Sequence, residues 1–296
     1  MGDNAYFQDA SALGKAERRG GLGARNGEQT DQALDLIESF RKRQSRYVWP
    51  QVDRRRFLQE LEDRVLFPNH VNQYTTNLCG VFSMMRVWAN DFPVEYARFA
   101  LNLLESGEAK MLGANKRTAR WVRPSSDLRH AIPPQGIAHA DWVVASSVRE
   151  SLNHVFDYSP SEGIFAIKGW TFPGDVEREF TRLGYTKMRS KVGLTSARGY
   201  DNLMEASQLY QSGWRVLMLI DSGLLQQPIP NARSPIADHW VGLNSSIVPK
   251  VGSGVPFLYS FKLWSWAQSI QVPQSGAPIP LETVSKRYYG FVAGRF

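Results

Sequence analysis

The chain has 296 residues, 43% hydrophobic and 12% aromatic, which is ample material for a core and excludes a wholly disordered chain or a collagen-like repeat. Its single cysteine, Cys79, excludes an internal disulfide framework and a four-cysteine zinc site. A net charge of +7 favours anionic partners without selecting one.

Residues 1 to about 30 are rich in Gly, Asn, Gln, Ala and charge, show no sustained apolar period, and read as a flexible tail. Met1 to Tyr6 lacks the apolar run of a secretory signal, and Tyr6 stands where an N-myristoylation motif has Ser or Thr. No stretch approaches the roughly 20 apolar residues that span a bilayer, so no transmembrane segment is expected. Gly21-Leu22-Gly23-Ala24-Arg25-Asn26-Gly27 follows no strand and departs from the dinucleotide fingerprint, so it reads as a linker. Leu34, Leu36, Ile37 and Phe40 have helical spacing and predict an amphipathic helix. The basic run Arg41, Lys42, Arg43, Arg46, Arg54, Arg55, Arg56 reads as solvated helix faces. No groove-reading motif accompanies it, so sequence-specific nucleic-acid binding is not expected. These features divide the chain into a flexible basic tail and helix, 1–45, and a main domain, 46–296.

In that domain Cys79 opens a predicted helix running to Trp88. Asn90-Asp91-Phe92-Pro93 closes it and starts a second helix, Val94 to Leu104, which Gly107 ends. Residues 108–139 are polar and contain proline, and read as a long excursion. Helices are predicted over Asp141 to Val155, Val176 to Leu183 after Pro173-Gly174-Asp175, and 201–211. Strands are predicted after Gly184-Tyr185 and at 214–220. Asp238 to Leu243, Phe257 to Trp266 and Tyr288 to Val292 read as strands, with a short helix after Pro278 and Pro280. Helices first and antiparallel-looking strands last predict the α+β class.

A nucleophilic cysteine acts as the thiolate, and a helix N-terminus lowers thiol pKa through unpaired N–H groups and the helix dipole. Cys79 holds such a position, after the polar Tyr74-Thr75-Thr76-Asn77 and before an apolar helical run. The chemistry also needs a base, most often His, and donors for the oxyanion of a tetrahedral intermediate. A side-chain amide upstream and the cysteine's own N–H could supply the donors. His70 is too close to the Cys79 loop for a base, while His130, His139 and His154 read as surface or capping residues. No His/Cys/Asp group has metal-ligand spacing, so neither a metal nor another cofactor is expected.

Gln73 to Gly80, with Gln six residues before Cys79, resembles the Gln-x5-Cys motif of papain-like cysteine peptidases. The Cys79-Gly80 pair is similar to their bacteriocin-processing and NlpC-like branches. Asp238-His239-Trp240-Val241-Gly242-Leu243 resembles the family's His strand. Trp264-Ser265-Trp266 falls where the family carries Asn-Ser-Trp, the Asn orienting the imidazole and the Trp shielding that bond. The resemblance implies a papain-like fold with the Cys helix in an N-terminal helical part and His239 on a C-terminal antiparallel sheet. It also implies Cys79 as nucleophile, His239 as base and Gln73 as oxyanion donor. Trp264 departs from the pattern because an indole cannot accept a bond from an imidazole N–H. Ser265, Asn244, Gln268 or a backbone carbonyl could serve instead, with Ser265 favoured.

A wider set, including Tyr96-Ala97-Arg98-Phe99, Asp141-Trp142, Pro173-Gly174-Asp175 and Tyr288-Tyr289-Gly290-Phe291-Val292, is similar to bacterial hydrolase effectors delivered by type VI secretion. That likeness spans roughly residues 70–296. It implies an antibacterial toxin made in the cytoplasm without a signal peptide and delivered into a target cell, with the periplasm favoured. Expected partners are a peptidoglycan peptide substrate, a cognate immunity protein and a secretion-apparatus carrier. A protease or deamidase acting on a protein inside the recipient cell, and an inactive papain-fold binding module, are the alternatives.

Overall fold

The computed structural model describes residues 27–43, 45–74, 76–112, 119–152, 171–193, 199–230, 237–252, 255–258 and 260–296. The predicted tail 1–26 with most of its glycine-rich linker, Thr75, His154 and Tyr259 lie outside the described residues.

The first half is helical: α1 (Gly27–Lys42), α2 (Arg54–Leu66), a 3-10 turn (Pro68–His70), α3 (Cys79–Asp91) and α4 (Pro93–Ser106). Proline opens α4 at its first turn, where its missing N–H costs nothing. Gly107 ends α4 in the left-handed region at φ 72°, its N–H donating to Leu103 O. Helix α1 buries Ala33, Ile37 and Phe40 in the same core as α3 and α4, so it packs with the body across the boundary drawn at residue 45.

The stretch 108–139 is not one excursion. It carries a hairpin, β1 (Ala109–Met111) with β2 (Arg120–Val122), the short helix α5 (Ser126–His130), and the first residue of α6 (His139–Leu152). Period-2 alternation is too brief over three residues to announce such strands. Helix α7 (Pro173–Arg182), β3 (Lys187–Val192), α8 (Gly199–Gln211) and β4 (Arg215–Ile220) follow. Then come β5 (His239–Leu243), β6 (Pro249–Gly252), β7 (Val255–Leu258), β8 (Phe261–Ser265), β9 (Gln268–Val272), β10 (Ile279–Pro280), α9 (Leu281–Ser285) and β11 (Tyr288–Arg295). The single strand expected at 257–266 is two: β7 joins a small sheet with β6 and β10, whereas β8 belongs to the main one.

The main sheet has six antiparallel strands in the order β3-β11-β4-β5-β8-β9. Alternate residues serve two cores. Leu217, Leu219, Trp240 and Trp264 pack with the helices, while Met218, Ile220, Val241 and Leu263 pack with Leu203 of α8 and Val284 of α9. The fold is therefore α+β, and among the described residues no helix is long and apolar enough to cross a membrane.

Helix α3 lies at the junction of helices and sheet, buried continuously from Gly80 to Asn90. A Cβ on Gly80 would stand 2.5 Å from Thr171 Cβ and 2.8 Å from its Oγ1. Thr171 is itself buried, and its carbonyl accepts from Trp240 Nε1 at 2.9 Å. Ala is ordinarily the better helix former by about 1 kcal/mol. Here Gly80→Ala is expected to destabilise instead, by about 1–3 kcal/mol of overpacking. Urea unfolding decides it: a rise in midpoint would show that Thr171 yields freely.

Candidate active site

Cys79 is the first residue of α3 and a free, partly buried thiol. Helix geometry places it beside β5, where Ser83, one turn along, donates its hydroxyl to Trp240 O at 3.3 Å. The Cys79 sulfur lies against the backbone of Trp240, the residue after His239. Burial pushes the thiol up to about 11, more than the backbone N–H groups of Trp240 and Gly80 pull it down. The helix N-terminus was expected to lower this pKa. Removal of water around the sulfur outweighs that effect.

His239 opens β5, buried to 4% exposure, and burial lowers its imidazole to about 4. Its Nε2 lies 2.7 Å from Ser265 Oγ at the end of β8. The Trp266 indole stacks on the ring at 4.5 Å between centroids and 14° between planes. Trp266 and Ala267 form the two-residue turn between β8 and β9 with φ of 47° and 60°. Such turns normally take Asn-Gly, and a bulky residue at positive φ is an outlier that clusters at functional positions. Nε2 faces Ser265, leaving Nδ1 as the nitrogen that can exchange a proton with a reacting group. Among the described residues no hydrogen bond joins Cys79 Sγ to His239.

The other third-partner candidates are engaged elsewhere or exposed. Asn244 accepts from Arg86 and donates to Ser269, and Gln268 is exposed. Trp264 points toward the helices, its Nε1 donating to Asn69 O at 2.9 Å. Asp238 accepts from the Ser222 N–H and hydroxyl at 2.7 and 2.8 Å, which fixes the entry into β5.

Gln73 is buried on the loop before α3, its Oε1 without a hydrogen-bond partner. The loop is held from a side that no catalytic motif announces. Asp141 in α6, fully buried, receives Arg64 Nε on Oδ1 at 3.0 Å and Nη2 on Oδ2 at 2.9 Å. Its Oδ2 also accepts the Asn72 N–H at 3.1 Å, and Asn72 Oδ1 accepts the Tyr74 N–H at 2.8 Å. Gln73 is thus bracketed by two anchored neighbours. The signal available in the sequence is an Asp standing directly before the apolar run Trp142-Val143-Val144-Ala145 of a predicted helix.

The remaining described histidines have local partners. His70 meets Asp63, His130 meets Ser126 O, and His139 Nδ1 accepts the Asp53 N–H at the start of α2. Among the described residues no group of three or more His, Cys, Asp or Glu could hold a metal ion. Comparison with protein-family models, with curated proteins and with solved structures finds no significant match to this chain.

Proposed function

We propose that the chain is a papain-like cysteine hydrolase acting on amide bonds. The observation that carries the reading is the His239 Nε2–Ser265 Oγ contact at 2.7 Å, with Trp266 over the ring and the Cys79 sulfur against the next residue of the same strand. In this reading Ser265 orients the imidazole, and His239 Nδ1 takes the Cys79 thiol proton as sulfur attacks the amide carbonyl. The proton then passes to the leaving amine, and water hydrolyses the thioester. Gln73 and the Cys79 N–H stabilise the oxyanion. A peptidoglycan peptide in a rival's periplasm is the proposed substrate, and delivery as a secreted effector belongs to the same proposal. A target protein in the recipient cell would use the same intermediate.

One observation favours the inactive binding module: the thiol at about 11 is unpaired with the imidazole. Alkylation of Cys79 by iodoacetamide separates the two. In a hydrolase the imidazole is expected to assist labelling at neutral pH, so that the rate slows by at least about tenfold in His239→Ala, the lower end of general-base assistance being larger still. Slow labelling indifferent to His239→Ala would establish the module. Expression in the cytoplasm and, with an added signal peptide, in the periplasm then locates the target. Lysis only from the periplasm, lost in Cys79→Ala, is the result expected for a cell-wall substrate.

A further inference from the structure

Arg86 lies two turns beyond Cys79 on the same face of α3, at 1% exposure. Among the described residues no carboxylate pairs with it. A buried cation is normally retained only with an acid partner, because desolvation is costly and an apolar side chain would serve packing as well. Its contacts show what it holds instead. Nε donates to Asn69 Oδ1 at 2.7 Å, in the 3-10 turn that leads to Gln73. Nη2 donates to Asn244 Oδ1 at 2.6 Å, just past the end of β5, the strand that His239 opens. The guanidinium lies over the Trp264 ring at 4.9 Å, beside Ser265 on β8.

The arrangement is closed and tight. Asn69 meets Arg86 through its side chain and Trp264 through its carbonyl. A Cβ on Gly242 would fall 2.4 Å from Arg86 Nη1, so β5 is bare of side chain where the guanidinium crosses it. A lysine could not span these partners, since it offers a point charge in place of a planar fork.

We infer that Arg86 is a positioning residue that sets the register of the Cys79 helix against the strands carrying His239 and Ser265. The inference rests on the cysteine-hydrolase reading and adds to it a residue that touches neither the thiol nor the imidazole. From α3, the helix that Cys79 opens, one guanidinium meets three other segments: the turn that leads to Gln73, the end of the His239 strand β5, and β8, which carries Ser265. A shift of α3 along β5 would change the Cys79–His239 separation without unfolding either element. Small misplacements of this kind cost rate far more than stability.

The test is a double-mutant cycle on Cys79 alkylation by iodoacetamide at neutral pH, using the full chain. Wild type, His239→Ala, Arg86→Met and the double variant are compared, with thermal melting of each. In wild type, His239→Ala is expected to slow labelling by at least about tenfold. In the Arg86→Met background, with melting retained, the same change is expected to slow it by less than about twofold, because independent sites would instead give equal factors. An undiminished His239 effect in folded Arg86→Met overturns the inference. No His239 effect in wild type overturns the cysteine-hydrolase reading and the inference with it. If Arg86→Met does not fold, Asn244→Ala takes its place, removing one acceptor and keeping the guanidinium. A weakened His239 effect there supports the register role, and a wild-type effect overturns it.

Discussion

Asp141→Ala is expected to lower stability by about 3–5 kcal/mol, the cost of removing one partner from a buried ion pair. The carboxylate is fully buried and bidentate with Arg64, itself 8% exposed. Burial pushes the Asp141 carboxyl up, and the Arg64 guanidinium works against that push. Without Asp141 the guanidinium keeps, among the described residues, only Asp63, on its own helix, and the Asn72 N–H loses its acceptor. The melting temperature should fall by roughly 10 °C for a chain of this size. Arg64→Met in the same chain should recover part of the loss, since an apolar replacement of both partners avoids the stranded charge. A loss below about 1 kcal/mol would show that water reaches Arg64. The loop consequence is separable: Asn72 and Tyr74 bracket Gln73, so the variant should also weaken any activity at temperatures where it remains folded.

The parts of this structure legible in the sequence are those with local causes. Pro93 and Gly107 mark the ends of α4 because a missing N–H and a left-handed φ are properties of single residues. Cys79 opens α3 where polar residues give way to an apolar helical run. The placement of Ser265 beside His239 was legible only as one of several options. Choosing among them needs the β5–β8 register, Gly242 opposite Trp264, which no local pattern specifies. The two-strand split of 257–266 escaped for the same reason, since an apolar run does not say which sheet each half joins. Arg86 was hidden by its neighbours. Cys79, Ser83 and Arg86 recur at spacings of four and three along an apolar helix, yet a charge in a helix ordinarily means a solvated face. The helix dipole that lowers the Cys79 thiol is readable from position, whereas the desolvation that outweighs it exists only after folding.

His239 is expected to set the acid limit of both stability and activity. Burial lowers its imidazole from the ordinary 6.5 to about 4, so the folded chain resists a proton that the unfolded chain accepts. The stabilisation is fully present above pH 6.5 and is lost as pH falls through about 4, amounting to about 3 kcal/mol at 1.36 kcal/mol per unit of pKa. Urea unfolding of wild type between pH 7 and 4 should show this loss, and His239→Gln, which cannot titrate, should show a shallower decline. In the proposed hydrolase the same neutral imidazole would be the competent base, so kcat/KM should hold level below pH 6 and bend near pH 4. Burial raises the Cys79 thiol to about 11, so between these values the resting pair is neutral thiol and neutral imidazole. In the proposed mechanism proton transfer would then accompany attack instead of preceding it, and a solvent isotope effect on the acylation step should be normal and large. An inflection of kcat/KM at 6.5, with no difference between wild type and His239→Gln in the decline of stability from pH 6.5 to 4, would mean that the imidazole is hydrated, and that Ser265 and Trp266 do not enclose it as the 2.7 Å contact and the 14° stack imply.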